Sequence, residues 1–334
     1  ARELEGLDEN VEQLYDDQFI ETCADWVAPY IGELIGYRSL HGVAPDIASP
    51  RADVANTIAF RRRKGTALML EDLARSVTSW PARAVEFFEQ LATTQYMNHL
   101  RPHAPAIVDL RSQRALLSMG GAFNRVAHTA EVRRPAVGGR YNIPNVGIFL
   151  WRLNAYRLEG LPLVPDPGDA TGRRFRLNPL GADMPLFRAP RTEPDMDHLS
   201  EPGNVPGPLR VREFARQVGE ATATGIAVES SDDYGANASL VITHEGVVGP
   251  LRLAGIPPTE DPDERFVVRI ADLRDIVDAG GNVVGWAHEN EISDQQIGVD
   301  PERGRVLLGA GRVADHASEP FKATFHQGYS RHIG

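Results

Sequence analysis

Cysteine is nearly absent: Cys23 stands alone in 334 residues, which excludes an internal disulfide and a cysteine-cluster metal site. Lysine is almost as scarce, with Lys64 and Lys322 the only examples and arginine supplying every other cation. A coding bias accounts for this first. Its physical consequence is that arginine makes forked, weakly hydrated contacts suited to protein interfaces. Positive charge as a whole is outnumbered, 35 Lys and Arg against 46 Asp and Glu, for a formal net charge of −11. The chain therefore lacks the surplus needed to neutralise phosphates, and no nucleic-acid partner is expected. No apolar run nears the ~20 residues of a membrane-spanning helix, and the first residues carry no signal-peptide pattern. No direct membrane insertion is expected, and a reducing, soluble compartment is the default setting.

What is present is an ordinary globular composition, 42 % hydrophobic and 24 % charged, long enough for two or three domains. Leu7, Val11, Leu14, Tyr15 and Phe19 recur at helical spacing, so 4–22 reads as an amphipathic helix. Asp25 is placed to cap a second helix with Trp26, Tyr30, Ile31, Leu34 and Ile35 on its apolar side, and Gly36 to end it. A third runs from about Ala52 into Arg61-Arg62-Arg63-Lys64 and breaks at Gly65. Thr66 caps a fourth, with core face Leu68, Leu70, Leu73, Ala74 and Val77. Trp80-Pro81 opens a fifth, turning Val85, Phe88 and Leu91 inward. Residues 1–118 are thus a predicted helical domain.

Residues 119–206 are rich in Gly, Pro and Arg with weak periodicity, and read as a loop-rich connector with one strand near 146–158. Residues 207–334 alternate short strands with turns: Ala238–Thr243, Phe266–Ile270, Val283–Ala287 and Ile297–Leu308, the last folded about a hairpin turn at Asp300–Gly304. Leu209–Val218 and Ile270–Val277 read as short helices. The fold class expected is α+β: an N-terminal helical bundle, loop-rich connectors and a β-rich C-terminal region. Both ends look cut, beginning inside a helical pattern and stopping after an aromatic strand, so a longer functional chain is expected.

Catalytic chemistry is hard to find. Lys64-Gly65-Thr66 has the wrong order for a phosphate loop, and no upstream glycine stands at the required spacing. His99 and His103 are four apart, but Pro102 lies between them and no glutamate completes a zinc pattern. His288-Glu289 lacks that spacing too, and Glu229, Asp232 and Asp233 read better as an acidic turn than as a cation site. Asp261, Asp263 and Glu264 show no acid/base partner, and no Gly-x-Ser-x-Gly elbow is present. No catalytic residue, cofactor or metal is expected, and no enzyme. The candidates are contact residues instead: the basic cluster Arg61, Arg62, Arg63 and Lys64, which a solvated helix end would explain equally well, and Trp80, Trp151 and Arg152 as anchors.

Several runs resemble a known family. Leu14 to Tyr37 (LYDDQFIETCADWVAPYIGELIGY), Phe60 to Thr66 (FRRRKGT) and Leu70 to Phe88 are similar to the opening helices of baseplate wedge proteins of extracellular contractile injection systems, which are phage-tail-like. Tyr141 to Leu153 (YNIPNVGIFLWRL) resembles a later family segment, and Phe325 to Tyr329 the approach to a further β-rich domain. The resemblance covers roughly half of the chain and is strongest before residue 155. It implies a structural subunit, not an enzyme, in a six-fold repeated hetero-oligomeric assembly. The implied partners are other wedge subunits, hub/spike proteins and sheath, in a cytoplasmic assembly that becomes part of a phage-tail-like particle, released or membrane-associated. The competing expectations are a β-rich module binding carbohydrate or peptide and, behind it, a hydrolase.

Overall fold

The computed structural model describes residues 10–38, 50–93, 96–99, 110–169, 171–192, 198–222, 228–245, 247, 249–253, 267–294 and 296–331. The chain is an α+β protein whose C-terminal half is rich in strand. It divides into two compact units, one of residues 1–152, 192–204 and 332–334, the other of 153–191 and 205–331. The segment expected to be a connector, 119–206, is thus shared between them.

The first unit begins with helix α1 at 10–16, followed by α2 (Ala28–Leu34), α3 (Pro50–Arg62), α4 (Ala67–Thr78) and, further along the chain, α5 (Gln113–Ser118). Punctuation follows local chemistry. Gly36 and Gly65 take left-handed φ values of 71° and 92°, which only glycine adopts cheaply, and the helices before them stop there. The Thr66 hydroxyl accepts from the Met69 amide and so caps α4. Asp25 does not cap α2, because the first turn starts at Val27; its carboxylate pairs with Arg51 at 2.7 Å instead. Arg51 also donates to the Cys23 and Glu21 carbonyls, stitching the α1–α2 turn to α3. A side chain at Gly32 would meet Tyr37 and Val54 at 3.0 Å, so the glycine lets α2 approach α3.

Trp80-Pro81 opens a strand, not a helix. β1 (Ala82–Glu86) pairs antiparallel with β2 (Val146–Leu150), and only Phe87–Gln90 forms a single tight helical turn. The apolar spacing of Val85, Phe88 and Leu91 fits a helix, but a partner strand beyond residue 145, outside any local pattern, pairs the segment as β1. The strand expected over 146–158 is interrupted at Trp151-Arg152, and β3 (Leu153–Pro162) belongs to the other unit.

In the second unit β3 lies beside β13 (Lys322–Ser330), which is flanked on its other side by β6 (Leu240–Thr243). A mixed sheet runs β4 (Val164–Pro165), β5 (Arg174–Arg176), β12 (Arg305–Leu308), β11 (Gln296–Asp300), β8 (Val267–Ile270) and β7 (Arg252–Leu253). The β11–β12 hairpin turns at 301–304 as expected, whereas Ile270–Val277 holds a loop and β9 (Asp275–Val277) in place of a helix. β9 pairs with β10 (Val283–Trp286). Helix α6 (Val211–Ala221) drops Phe214 and Val218, four apart on one face, into the core, and α7 (Val313–Ser318) precedes β13. Phe175, Leu177, Leu186, Tyr234, Ile242, Phe321 and Phe325 are all buried there. Leu163, Phe175, Leu177, Met184 and Leu186 come from the stretch that reads as loop. Its strands are too short to show a period.

Candidate interaction surface

Helices α1 and α2 and the turns that join them bury small side chains and expose large ones. Cys23, Val27 and Ala28 form the buried cluster, while Leu14, Tyr15, Phe19, Trp26, Tyr30 and Leu34 are 46–89 % exposed. The face that the sequence marks as core therefore points to solvent. The aromatics are ordered among themselves, Tyr15 edge-on to Phe19 at 5.4 Å and Trp26 edge-on to Tyr30 at 6.2 Å. Acidic groups accompany them, since 10–38 carries Glu12, Asp16, Asp17, Glu21, Asp25 and Glu33 against Arg38. Contiguous exposed apolar surface with a polar rim is the usual mark of a contact site.

Helix α4 repeats the pattern in milder form. Leu68, Leu70, Leu73, Ala74 and Val77, its expected core face, are only half-buried, and the fully buried position is the carboxylate of Glu71. Glu71 accepts from the Ala84 amide at 2.8 Å and from the Ser200 amide and hydroxyl at 2.7 and 2.6 Å, with Arg75 completing its shell. The carboxylate holds β1 and the 198–204 segment on α4, so polar tethering replaces apolar packing. Beside it, burial raises the Asp72 carboxyl above its ordinary value against the pull of Arg75 and Arg63.

The seven expected contact residues fall into two groups. Arg61 is used internally, donating to the Ile35 and Gly36 carbonyls at 2.6 and 2.5 Å and closing the C-terminal end of α2 onto α3. Arg62, Arg63 and Lys64 follow it on exposed backbone at the end of α3. Trp80, Trp151 and Arg152 are brought together at one end of the β1–β2 ladder. The Arg152 guanidinium lies 5.5 Å from the Trp80 ring centroid, Trp151 packs against Phe123, and the Trp151 amide donates to the Pro81 carbonyl. All three are half-buried or exposed rather than core.

In the second unit, charged groups that resemble site residues are consumed by each other. Asp233, expected in an acidic turn, is buried and accepts a two-pronged bond from Arg188 at 2.8–3.1 Å and a hydroxyl bond from Ser239. Burial pushes its carboxyl up, but the Arg188 fork wins and holds it below the ordinary carboxylate value. Asp232 and Glu229 reach Arg191 and Arg252. Arg305, almost fully buried, divides its donors among Asp183, Asp275 and the Leu273 carbonyl and lies 4.8 Å over the Trp286 ring. Glu289 pairs with Arg174, and His288 with Glu291. His99 stacks on Tyr96. His103, Asp261, Asp263 and Glu264 lie outside the described residues. Sequence reading missed Glu71, Arg188 and Arg305, whose partners Ser200, Asp233 and Asp183 stand 129, 45 and 122 residues away, beyond any local pattern.

Among the described residues no group of His, Cys, Asp and Glu is arranged to hold a metal ion, and no helix is long and apolar enough to cross a membrane. Comparison with known proteins adds no assignment: no protein-family model matches the chain, and no match is found among curated proteins or solved structures.

Proposed function

We propose that this chain is a structural wedge subunit of a contractile injection system's baseplate, linking hub and tube to sheath and periphery and relaying the contraction trigger. Its partners in this reading are other wedge subunits, hub/spike and sheath proteins, in a particle assembled in the cytoplasm. The observation that carries the reading is the exposed apolar face of α1 and α2, within the run from Leu14 to Tyr37 that resembles the wedge family. A part whose large aromatics face solvent is completed by neighbours, as assembly components are. The internally neutralised carboxylates favour a mechanical role over catalysis, because a general acid or base needs a free proton-transfer path. The test is electron microscopy of particles from cells lacking the chain. Absent or baseplate-less particles are expected; intact, sheathed particles would end the wedge reading.

A further inference from the structure

Among the described residues, the two-stranded β1–β2 ladder has one side on which no strand is paired. The β1 edge is closed by the Glu71 carboxylate, which takes the outward Ala84 amide. No described strand lies on the other side of β2. The register opposes Leu150 to Ala82, Ile148 to Ala84 and Val146 to Glu86, and the flanking bonds Phe87 N–H to Asn145 C=O and Trp151 N–H to Pro81 C=O fix the phase. Antiparallel pairs alternate between bonded and non-bonded, so Gly147 and Phe149 bond to β1. The amides and carbonyls of Val146, Ile148 and Leu150 therefore point outward. Their side chains, 47 %, 46 % and 39 % exposed, form one apolar row on one face of the ladder.

Edge strands are ordinarily guarded by a charge, a proline, a bulge or shortness. β2 is five residues long, in unbroken register, and its sequence VGIFL holds neither charge nor proline. It is also self-complementary. Turned about an axis through Ile148, a second β2 sets Ile148 against Ile148, Val146 against Leu150 and Gly147 against Phe149. The outward groups of each strand then meet those of the other, and every opposed outward pair exchanges both of its bonds. The aromatic-over-glycine pairs shield the positions where a side chain is missing. Gly147 has no room for one, because its Cβ would lie 2.7 Å from the Phe87 ring.

We infer that the open edge of β2 pairs antiparallel with β2 of a second copy of this chain, in a continuous sheet β1-β2-β2′-β1′ centred on Ile148. The axis stands perpendicular to the sheet, so the two apolar rows lie on one face of it. A strand this short buries far less than the ~1,600 Å² of a standing complex. The pairing is therefore weak in dilute solution and is strengthened wherever copies are held close together. This inference does not rest on the wedge reading, and particle assembly is not its readout.

The test uses the full chain with Cys23→Ala. Opposed Ile148 residues stand about 5.5 Å apart at Cα, within disulfide reach, whereas Phe149 opposes Gly147 and lies a diagonal step from its own counterpart. Ile148→Cys is expected to form a disulfide-linked dimer under oxidised glutathione, and Phe149→Cys to stay monomeric. Equal cross-linking of the two, or none for Ile148→Cys, overturns the proposal. Sedimentation of the unmodified chain at high concentration gives the second arm. Ile148→Lys and Ile148→Pro, which leave the inward bonds to β1 in place, are each expected to weaken self-association about tenfold or more at unchanged Tm. Self-association that survives both substitutions overturns the pairing as well.

Discussion

The two units solve the same problem in opposite ways. In the second, Phe214, Tyr234, Phe321 and Phe325 are sealed in one core, and Asp233, Asp183 and Asp275 each have an arginine. In the first, the largest side chains of α1 and α2 face outward, the buried cluster is Cys23, Val27 and Ala28, and the best-satisfied group is a carboxylate. Burial of apolar area is the main source of stability. The second unit buries its large apolar side chains within itself; the first leaves much of its apolar area available for a neighbour. Composition does not reveal the difference, because both units carry aromatics and both are amphipathic.

The sharpest way to break the comparison is Arg188→Ala. It leaves Asp233 buried without its cation, which costs about 3–5 kcal/mol, and hydrogen exchange is expected to accelerate across β6 and β13 while α1–α3 amides stay unchanged. Equal acceleration in both units would mean that they unfold as one. Next comes Glu71→Ala, which strips acceptors from the Ala84 and Ser200 amides and is expected to cost about 1–3 kcal/mol, read as faster exchange at Ala84. An unchanged rate there would deny the polar tether its role.

A pH titration distinguishes the units more gently. Burial, reinforced by His244, lowers the His316 pKa, and its Nδ1 accepts the Phe321 amide at 3.2 Å, a bond that needs the neutral ring. The unfolded chain thus binds that proton more readily, at about pH 6.5. The contribution is whole above that pH and is lost as pH falls below it. His316→Gln is expected to flatten this acid limb of thermal stability, and an unchanged limb would remove His316 from the account. The smallest expected effect is Trp26→Ser with Tyr30→Ser, within about 0.5 kcal/mol by urea denaturation. The same pair is expected to lower binding of a hydrophobic dye sharply, because it removes exposed apolar surface. A large loss of stability would mean that the face is core after all.

Much of the fold is legible locally. Gly36, Gly65 and Thr66 act within a few bonds of themselves, and the hairpin at Asp300–Gly304 lies within one turn. β1 is not legible, since its identity as a strand depends on β2, beyond residue 145. Nor is the burial of 163–186, whose short strands gain their meaning from β12. The candidate contact residues divide the same way: Trp80, Trp151 and Arg152 do gather, while Arg61 is spent on the Ile35 and Gly36 carbonyls, a partnership no spacing announces. Amphipathic periodicity in α1 and α2 finds the apolar face correctly but not what lies against it.

The order β3-β13-β6 has a consequence for synthesis. The middle strand leaves the ribosome after both of its neighbours, and the Gly160–Thr324 bond spans 164 residues. Until β13 emerges, β3 and β6 have no partner between them and Phe321 and Phe325 are missing from the core. The nascent chain waits with unpaired strands, where chaperones hold an advantage and truncated products are prone to aggregate. Closure of so long a loop is slow, so the sealed unit is the last part to become native, and thereafter the harder one to open.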